Sequence, residues 1–180
     1  MYLATYYSPL GLGTITLTSD GDSITGLWLE QQISRRDLVF ADMVERGDLP
    51  VLKAAKNWLD RYFAGQKPDI DELPLAPTGT AFRQQVWAIL REIPYGHVIT
   101  YKDIAIRIAA QQKVNRMSCQ AVGGAVGHNP ISIIIPCHRV VGGNGNLTGY
   151  GGGIHLKVKL LQHEGVDMSR LYVPKAGTAL

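Results

Sequence analysis

The sequence predicts a two-part fold: an α/β N-terminal domain, built from a small antiparallel sheet plus a helix, followed by a mainly α C-terminal domain carrying a helix-turn-helix. Three observations carry this expectation. Short segments of β-period alternation fill the first positions, a proline-bearing stretch spans 67–79, and apolar residues recur at helical spacing after Thr80. We place the domains at 1–79 and 80–180.

In the first half, Ala4–Tyr7 reads as a strand, Ser8-Pro9-Leu10-Gly11 as a turn, and Gly13–Thr18 as a second strand. Asp20-Gly21-Asp22 turns the chain into a third strand, Ile24–Leu29, which completes a meander. A helix follows over Pro50–Ala64, where Leu52, Ala55, Leu59 and Phe63 share one face and Gly65 closes it. Pro68, Pro74 and Pro77 make 67–79 the linker.

In the second half, Thr80 caps a helix over Phe82–Ile93 with Phe82, Val86, Ile89, Leu90 and Ile93 on its apolar face, and Pro94-Tyr95-Gly96 interrupts it. Thr100 with Asp103 three residues on resembles a capping box, opening a helix with Ile104, Ala105 and Ile108 inward. Ser118 caps a third short helix through Ala125, and the pair of helices is compatible with a helix-turn-helix. Gly123-Gly124 inside that helix costs about 1 kcal/mol per glycine relative to alanine, which calls for tight helix packing or close approach of a nucleic-acid backbone. The apolar run Ile131–Ile135 reads as one short strand, and Ile154–His163 as a final helix.

Composition narrows the function. Net charge is only +3, but residues 1–81 hold 7 Lys/Arg against 11 Asp/Glu, whereas residues 82–164 hold 9 against 3. A basic half is the footprint of a phosphate-binding surface, although ordinary solvated charge gives the same count. No stretch approaches a membrane span, and Met1-Tyr2-Leu3-Ala4 lacks the basic start of a signal peptide, so we expect a cytoplasmic protein with no membrane partner. Cys119 and Cys137 are then expected as free thiols, and no Cys/His spacing of a zinc site occurs.

The chemistry concentrates in the run from Ile133 to Val141, where Cys137 and His138 stand side by side. The thiolate is the nucleophile of cysteine chemistry, and a neighbouring base or positive charge makes it available; His138 and Arg139 supply that setting. Free cysteine is also among the most buried residue types, so the bare pair by itself reads first as inert core. Pro136 ends the apolar run and leaves Cys137 at the mouth of the expected strand.

Pro136-Cys137-His138-Arg139-Val140 resembles the PCHRV active-site signature of the O6-alkylguanine-DNA alkyltransferases, the methylated-DNA-protein-cysteine methyltransferases. The likeness runs from Thr80 to Val166 and more weakly into the N-terminal half. It implies direct-reversal DNA repair: the alkyl group of O6-alkylguanine in double-stranded DNA passes irreversibly to Cys137, once per molecule, after the base is flipped out. O4-alkylthymine stays open as a second substrate. No cofactor or metal is implied, and a monomer is expected; some family members carry an N-terminal zinc, but this half has no cysteine or histidine.

The resemblance also assigns roles. Glu164 orients His138, which withdraws the Cys137 proton through a water; Tyr101 helps extrude the nucleotide and hydrogen-bonds the departing guanine; Asn129 bridges the recognition segment and the active-site loop. Val140, Tyr150, Gly151 and Ser132 belong to the substrate pocket, with Ser132 standing where some members have proline. In the recognition helix Ser118, Ala121 and Gly124 are small enough for minor-groove approach, Gln120 replaces a common arginine, and Arg116 supplies a phosphate contact one turn earlier. The segment Ala109–Met117 is longer than in the best-known members. Two other classes remain: a DNA-damage sensor on the same scaffold, against which Cys137 argues, and a Cys-His hydrolase of a small molecule, which predicts multiple turnovers without DNA.

Overall fold

The computed structural model describes residues 1–33 and 40–174, which cluster into two units: residues 1–78 with 130–134, and residues 79–129 with 135 onward.

In the first unit, β1 (Tyr2–Tyr7), β2 (Thr14–Ser19) and β3 (Ile24–Leu29) form the expected antiparallel meander, with Ala4 opposite Leu17 and Leu17 opposite Leu27. The sheet is mixed rather than antiparallel throughout, because β4 (Val44–Glu45) adds in parallel beside β1, giving the order β3-β2-β1-β4. A single helical turn, α1 (Glu30–Ile33), follows β3. Helix α2 (Pro50–Phe63) has proline in its first turn, where its missing N–H is harmless, and buries Leu52, Ala55, Trp58 and Leu59. The linker is not slack: Ile24 N–H donates to Pro74 O at 2.8 Å and Ala76 N–H to Ile24 O at 2.9 Å.

The expected strand over Ile131–Ile135 does not form. Ile131 makes one bridge to Leu27, and the chain then turns, with Ile133 at φ 69°. Leu27 fixes this segment from both sides, its N–H donating to Pro130 O at 2.8 Å and its carbonyl accepting from Ser132 N–H at 3.1 Å. A β-branched residue in the left-handed region is strained by about 1–3 kcal/mol. Complete burial of Ile131, Ile133 and Ile134 holds it there.

In the second unit the local capping signals hold. Thr80 Oγ1 accepts from Arg83 N–H at the start of α3 (Ala81–Arg91), and Thr100 and Asp103 form a reciprocal capping box before α4 (Tyr101–Gln112). Ser118 Oγ accepts from Ala121 N–H at the start of α5 (Cys119–Gly127). Two short strands, β5 (Ile99–Thr100) and β6 (Val140–Val141), pair in parallel and bring the residues before α4 beside those after Cys137. Trp87 on α3 is buried and donates its indole N–H to Ala125 O at 2.9 Å, tying α3 to α5. Helix α6 (Ile154–His163) packs Ile154 and Leu161 against Val141 and Leu147.

Candidate active site

Cys137, His138 and Arg139 form one 3₁₀ turn between Pro136 and β6, and all three side chains are buried. Two donors fix the approach to this turn: Ile135 O accepts from Cys137 N–H at 2.8 Å and from Asn129 Nδ2 at 2.7 Å. Asn129 closes the end of α5, so it physically links that helix to the cysteine turn.

Glu164 is the hub of the site. It caps the C-terminal end of α6, where a carboxylate opposes the helix dipole, so its placement needs specific partners. Oε1 lies 2.7 Å from His138 Nε2 and 3.0 Å from Arg139 Nη2; Oε2 accepts from Arg139 Nε at 2.8 Å and from Gly96 N–H at 3.2 Å. Arg139 thus grips the carboxylate in a two-pronged fork. Its remaining Nη1 donates to Ile93 O at 2.5 Å, and its guanidinium lies 5.7 Å from the centre of the Tyr95 ring. Arg139, expected from its place after Cys137 and His138 as an activating charge for the thiol, has its charge neutralised by Glu164.

Burial alone would raise the Glu164 carboxyl, but the charges and hydrogen bonds of His138 and Arg139 outweigh it and hold the group well below the ordinary carboxylate range. Burial pushes His138 down, against the opposing pull of Glu164, and leaves a neutral imidazole. An ionised carboxylate can only accept, so the 2.7 Å contact requires the proton on Nε2. That tautomer leaves a lone pair on Nδ1, which is buried without a hydrogen-bond partner among the described residues. A neutral histidine with one nitrogen held by a carboxylate and the other unprotonated is a general base.

A charge on Cys137 acts on Tyr101, Tyr150 and Lys157, raising the pKa of each. Burial pushes the Tyr101 phenol up to about 12, so it stays a proton donor at neutral pH; at rest it donates to Thr148 O at 3.2 Å. Gly149 makes room for it, since a Cβ there would stand 2.6 Å from Tyr101 Oη and the backbone has φ 87°. The Tyr150 hydroxyl is buried without a partner among the described residues. Val140 is buried beside the turn, whereas Gly151 is exposed.

Sequence reasoning missed Lys157. It is fully buried, and its Nζ donates to Val140 O at 2.5 Å and Thr148 O at 3.3 Å. The signal was available, because Lys157 shares its helix stripe with Ile154 and Leu161, where a solvated lysine does not belong.

Ser132 lies in the first unit, fully buried, with its hydroxyl 3.3 Å from both the oxygen and the nitrogen of the Gln32 amide. Gln120, Ala121 and Gly124 form an exposed face of α5, and Arg116 and Ser118 are exposed on the segment leading into it. A Cβ on Gly124 would meet no protein atom within 4 Å, and one on Gly123 would touch Tyr101 only at 3.9 Å. Protein packing therefore does not demand glycine at 124. Arg116 and Ser118 also line a cleft of about 770 Å³ with Ile106 and Val114. Within residues 82–164, burial removes Arg139, Lys157 and Glu164 from the surface charge, leaving 7 basic against 2 acidic side chains outside the core, a net of +5. Among the described residues, no three His, Cys, Asp or Glu side chains converge as a metal-binding group, and no helix is long and apolar enough to cross a membrane.

Comparison with known proteins places this geometry. Residues 81–166 match the family model described as 6-O-methylguanine DNA methyltransferase, DNA binding domain, and residues 1–77 match its ribonuclease-like domain. The chain is 44% identical over 160 residues to a methylated-DNA--protein-cysteine methyltransferase of Haemophilus influenzae, covering 89% of this chain and 84% of the relative. It is 42% identical over 154 residues to one from Mycobacterium tuberculosis, covering 85% and 87%. The crystal structure of Mycobacterium tuberculosis OGT in complex with DNA superposes with a TM-score of 0.77 at 40% identity, covering 95% of both chains.

Proposed function

Since the chain belongs to the 6-O-methylguanine DNA methyltransferase family, we propose that it repairs DNA by moving the alkyl group of O6-alkylguanine onto Cys137, with His138 as base and Glu164 holding that base in its working tautomer. The family is one of direct reversal by transfer to a protein cysteine, and DNA is the partner. The observation that carries the assignment is the 2.7 Å contact of His138 Nε2 with a Glu164 carboxylate fixed by Arg139.

In this reading, His138 Nδ1 takes the thiol proton through one bridging water, because neighbouring residues in a tight turn meet poorly side chain to side chain. The thiolate attacks the alkyl carbon, a sulfur–carbon bond forms, the carbon–oxygen bond breaks, and the released electron pair goes to the guanine. Tyr101 donates its phenolic hydrogen bond to the leaving base, and the guanine ends with the proton that the thiol lost. Thr148 O keeps a donor in Lys157 when Tyr101 turns away from it. The flipped nucleotide enters past Tyr150, Gly151 and Val140, with Asn129 holding Ile135 O and so the register of the cysteine turn. The exposed face of α5, with Gln120, Ala121 and Gly124, lies against the duplex, and Arg116 and Ser118 contact its backbone. The thioether has no route back to thiol, so each molecule acts once, as a monomer and without a cofactor.

Incubating the protein with a duplex containing O6-methylguanine and weighing the intact protein tests this. One added methyl group, absent from Cys137→Ala, is expected. Tight binding with no mass gain would make it a sensor, and turnover of a small molecule without modification would make it a hydrolase; either outcome overturns the proposal.

A further inference from the structure

The site contains one buried charge that the proton relay does not use. Lys157 is fully buried on α6, its Nζ held by two backbone carbonyls, Val140 O and Thr148 O, and its third N–H has no acceptor among the described residues. The nearby buried carboxylate, Glu164, is engaged by His138 and Arg139 instead. An ammonium placed in a core without a carboxylate is costly unless something else balances it.

The buried ionisable groups around the cysteine turn give a charge count. Arg139 and Glu164 cancel, His138 is neutral, and burial pushes the Tyr101 and Tyr150 phenols up, so both stay uncharged. Lys157 remains as a buried cation with no carboxylate bound to it among the described residues, and Cys137 is the acid whose ionisation would set a negative charge in the same cluster. With the thiol proton passed to His138 the total charge of the cluster is unchanged, and the new negative charge on sulfur has the fixed Lys157 ammonium to oppose it. Burial pushes the Lys157 ammonium down to about 8, with Cys137 pulling the other way, so the lysine still carries its proton at neutral pH.

We propose that Lys157 is the counter-cation of the Cys137 thiolate, a positioning residue whose charge, pinned by the carbonyls of Val140 and Thr148, makes the buried thiolate available. The inference rests on Cys137 being the alkyl acceptor. Lysine keeps its proton throughout: the thiol proton goes to His138, and the negative charge formed on sulfur passes to guanine as the carbon–oxygen bond breaks. Arginine at position 139 sits nearer in sequence, but its fork is committed to Glu164.

The test titrates Cys137 without DNA, by thiolate absorbance near the ultraviolet edge and by iodoacetamide alkylation rate against pH, in a Cys119→Ser background. Lys157→Met should raise the apparent Cys137 pKa by about one unit or more, a tenfold loss of thiolate near neutral pH. Lys157→Arg, if accommodated, should recover part of it. Coupling is reciprocal, so NMR of the lysine side chain in Cys137→Ser should show Lys157 titrating lower than in the parent; this arm does not depend on Lys157→Met folding. A Cys137 titration unmoved by Lys157→Met, or a Lys157 titration indifferent to Cys137→Ser, overturns the inference, since a lysine that merely packs would alter stability and leave both curves in place. Parent protein that gains no methyl from damaged duplex would sink the alkyl-transfer reading itself, and the two failures are read in separate assays.

Discussion

Replacing Glu164 by glutamine tests the relay at its hub. The carboxylate receives hydrogen bonds from His138, from both prongs of Arg139 and from Gly96 N–H, all in the buried core. Glutamine keeps the shape but offers one acceptor oxygen and a donating NH2, so at least one of those donors meets another donor. Arg139 then keeps its charge with no anion to neutralise it, held by Ile93 O, the Tyr95 ring and at most the single amide oxygen. Breaking a buried pair from one side costs about 3–5 kcal/mol, which for a chain of this size lowers Tm by roughly 6–20 °C. The rate falls for a separate reason. Without an acceptor-only partner, the proton on His138 is no longer confined to Nε2, and imidazole with its proton on Nδ1 cannot take one from the thiol; general bases contribute about 10²–10⁴-fold. Single-turnover methyl transfer from a damaged duplex, followed by quenching and mass spectrometry, measures it well below the variant's Tm. The decisive control is the double variant with His138→Gln. If Glu164 acts through His138, the double variant loses about as much rate as the worse single one. Multiplying losses, or a folded Glu164→Gln protein within threefold of the parent rate, would refute the tautomer argument.

Asn129→Ala removes the 2.7 Å bond to Ile135 O, and we expect a loss of about 1–3 kcal/mol in stability with transfer slowed more than DNA binding; equal losses in both would mean that Asn129 serves the duplex contact alone. Gly124→Leu should stabilise the free protein by about 0.5–1 kcal/mol, because the position is helical and open, yet weaken duplex binding tenfold or more in a gel-shift or anisotropy titration. Unchanged binding would remove α5 from the interface. For Lys157 the folded pKa is depressed from 10.5 to about 8, so between those values the unfolded chain binds more protons and stability rises with pH. The unfolding free energy of the parent minus that of Lys157→Met should therefore climb from about pH 7 to pH 10, by up to roughly 3 kcal/mol; a flat or falling difference in urea titrations contradicts a buried ammonium.

Features set by neighbouring residues were legible in the sequence, and features set by distant pairing were not. Thr80, Thr100 with Asp103, and Ser118 announce helix starts because a cap is a bond within four residues. β4 escaped because two exposed residues joining β1 in parallel leave no local pattern. Ile131–Ile135 was misread because an unbroken apolar run has no period, and the contacts that bend it at Ile133 come from Leu27, about a hundred positions away. In the site, Glu164 left a trace as a carboxylate at the unfavourable end of a helix. Arg139 was placed by adjacency with Cys137, which is a poor guide in a 3₁₀ turn where successive side chains diverge. Lys157 was readable from helix phase alone, had the stripe of Ile154 and Leu161 been extended through it.

The charges of the second unit fall into two sets with opposite requirements. Those outside the core, net +5 between residues 82 and 164, work in water, where salt screens them and no single side chain is indispensable. Among the described residues the buried set holds three charges, Arg139, Glu164 and Lys157, and only two of them cancel. Evolution for stability alone would remove the third, since an apolar residue on the Ile154 and Leu161 stripe packs without cost. Keeping Lys157 makes sense if the free energy lost in the resting protein is recovered when sulfur becomes negative. A chain that uses its cysteine once gains from this arrangement: the thiol rests buried, and its ionisation is favoured by a charge that cannot leave the pocket.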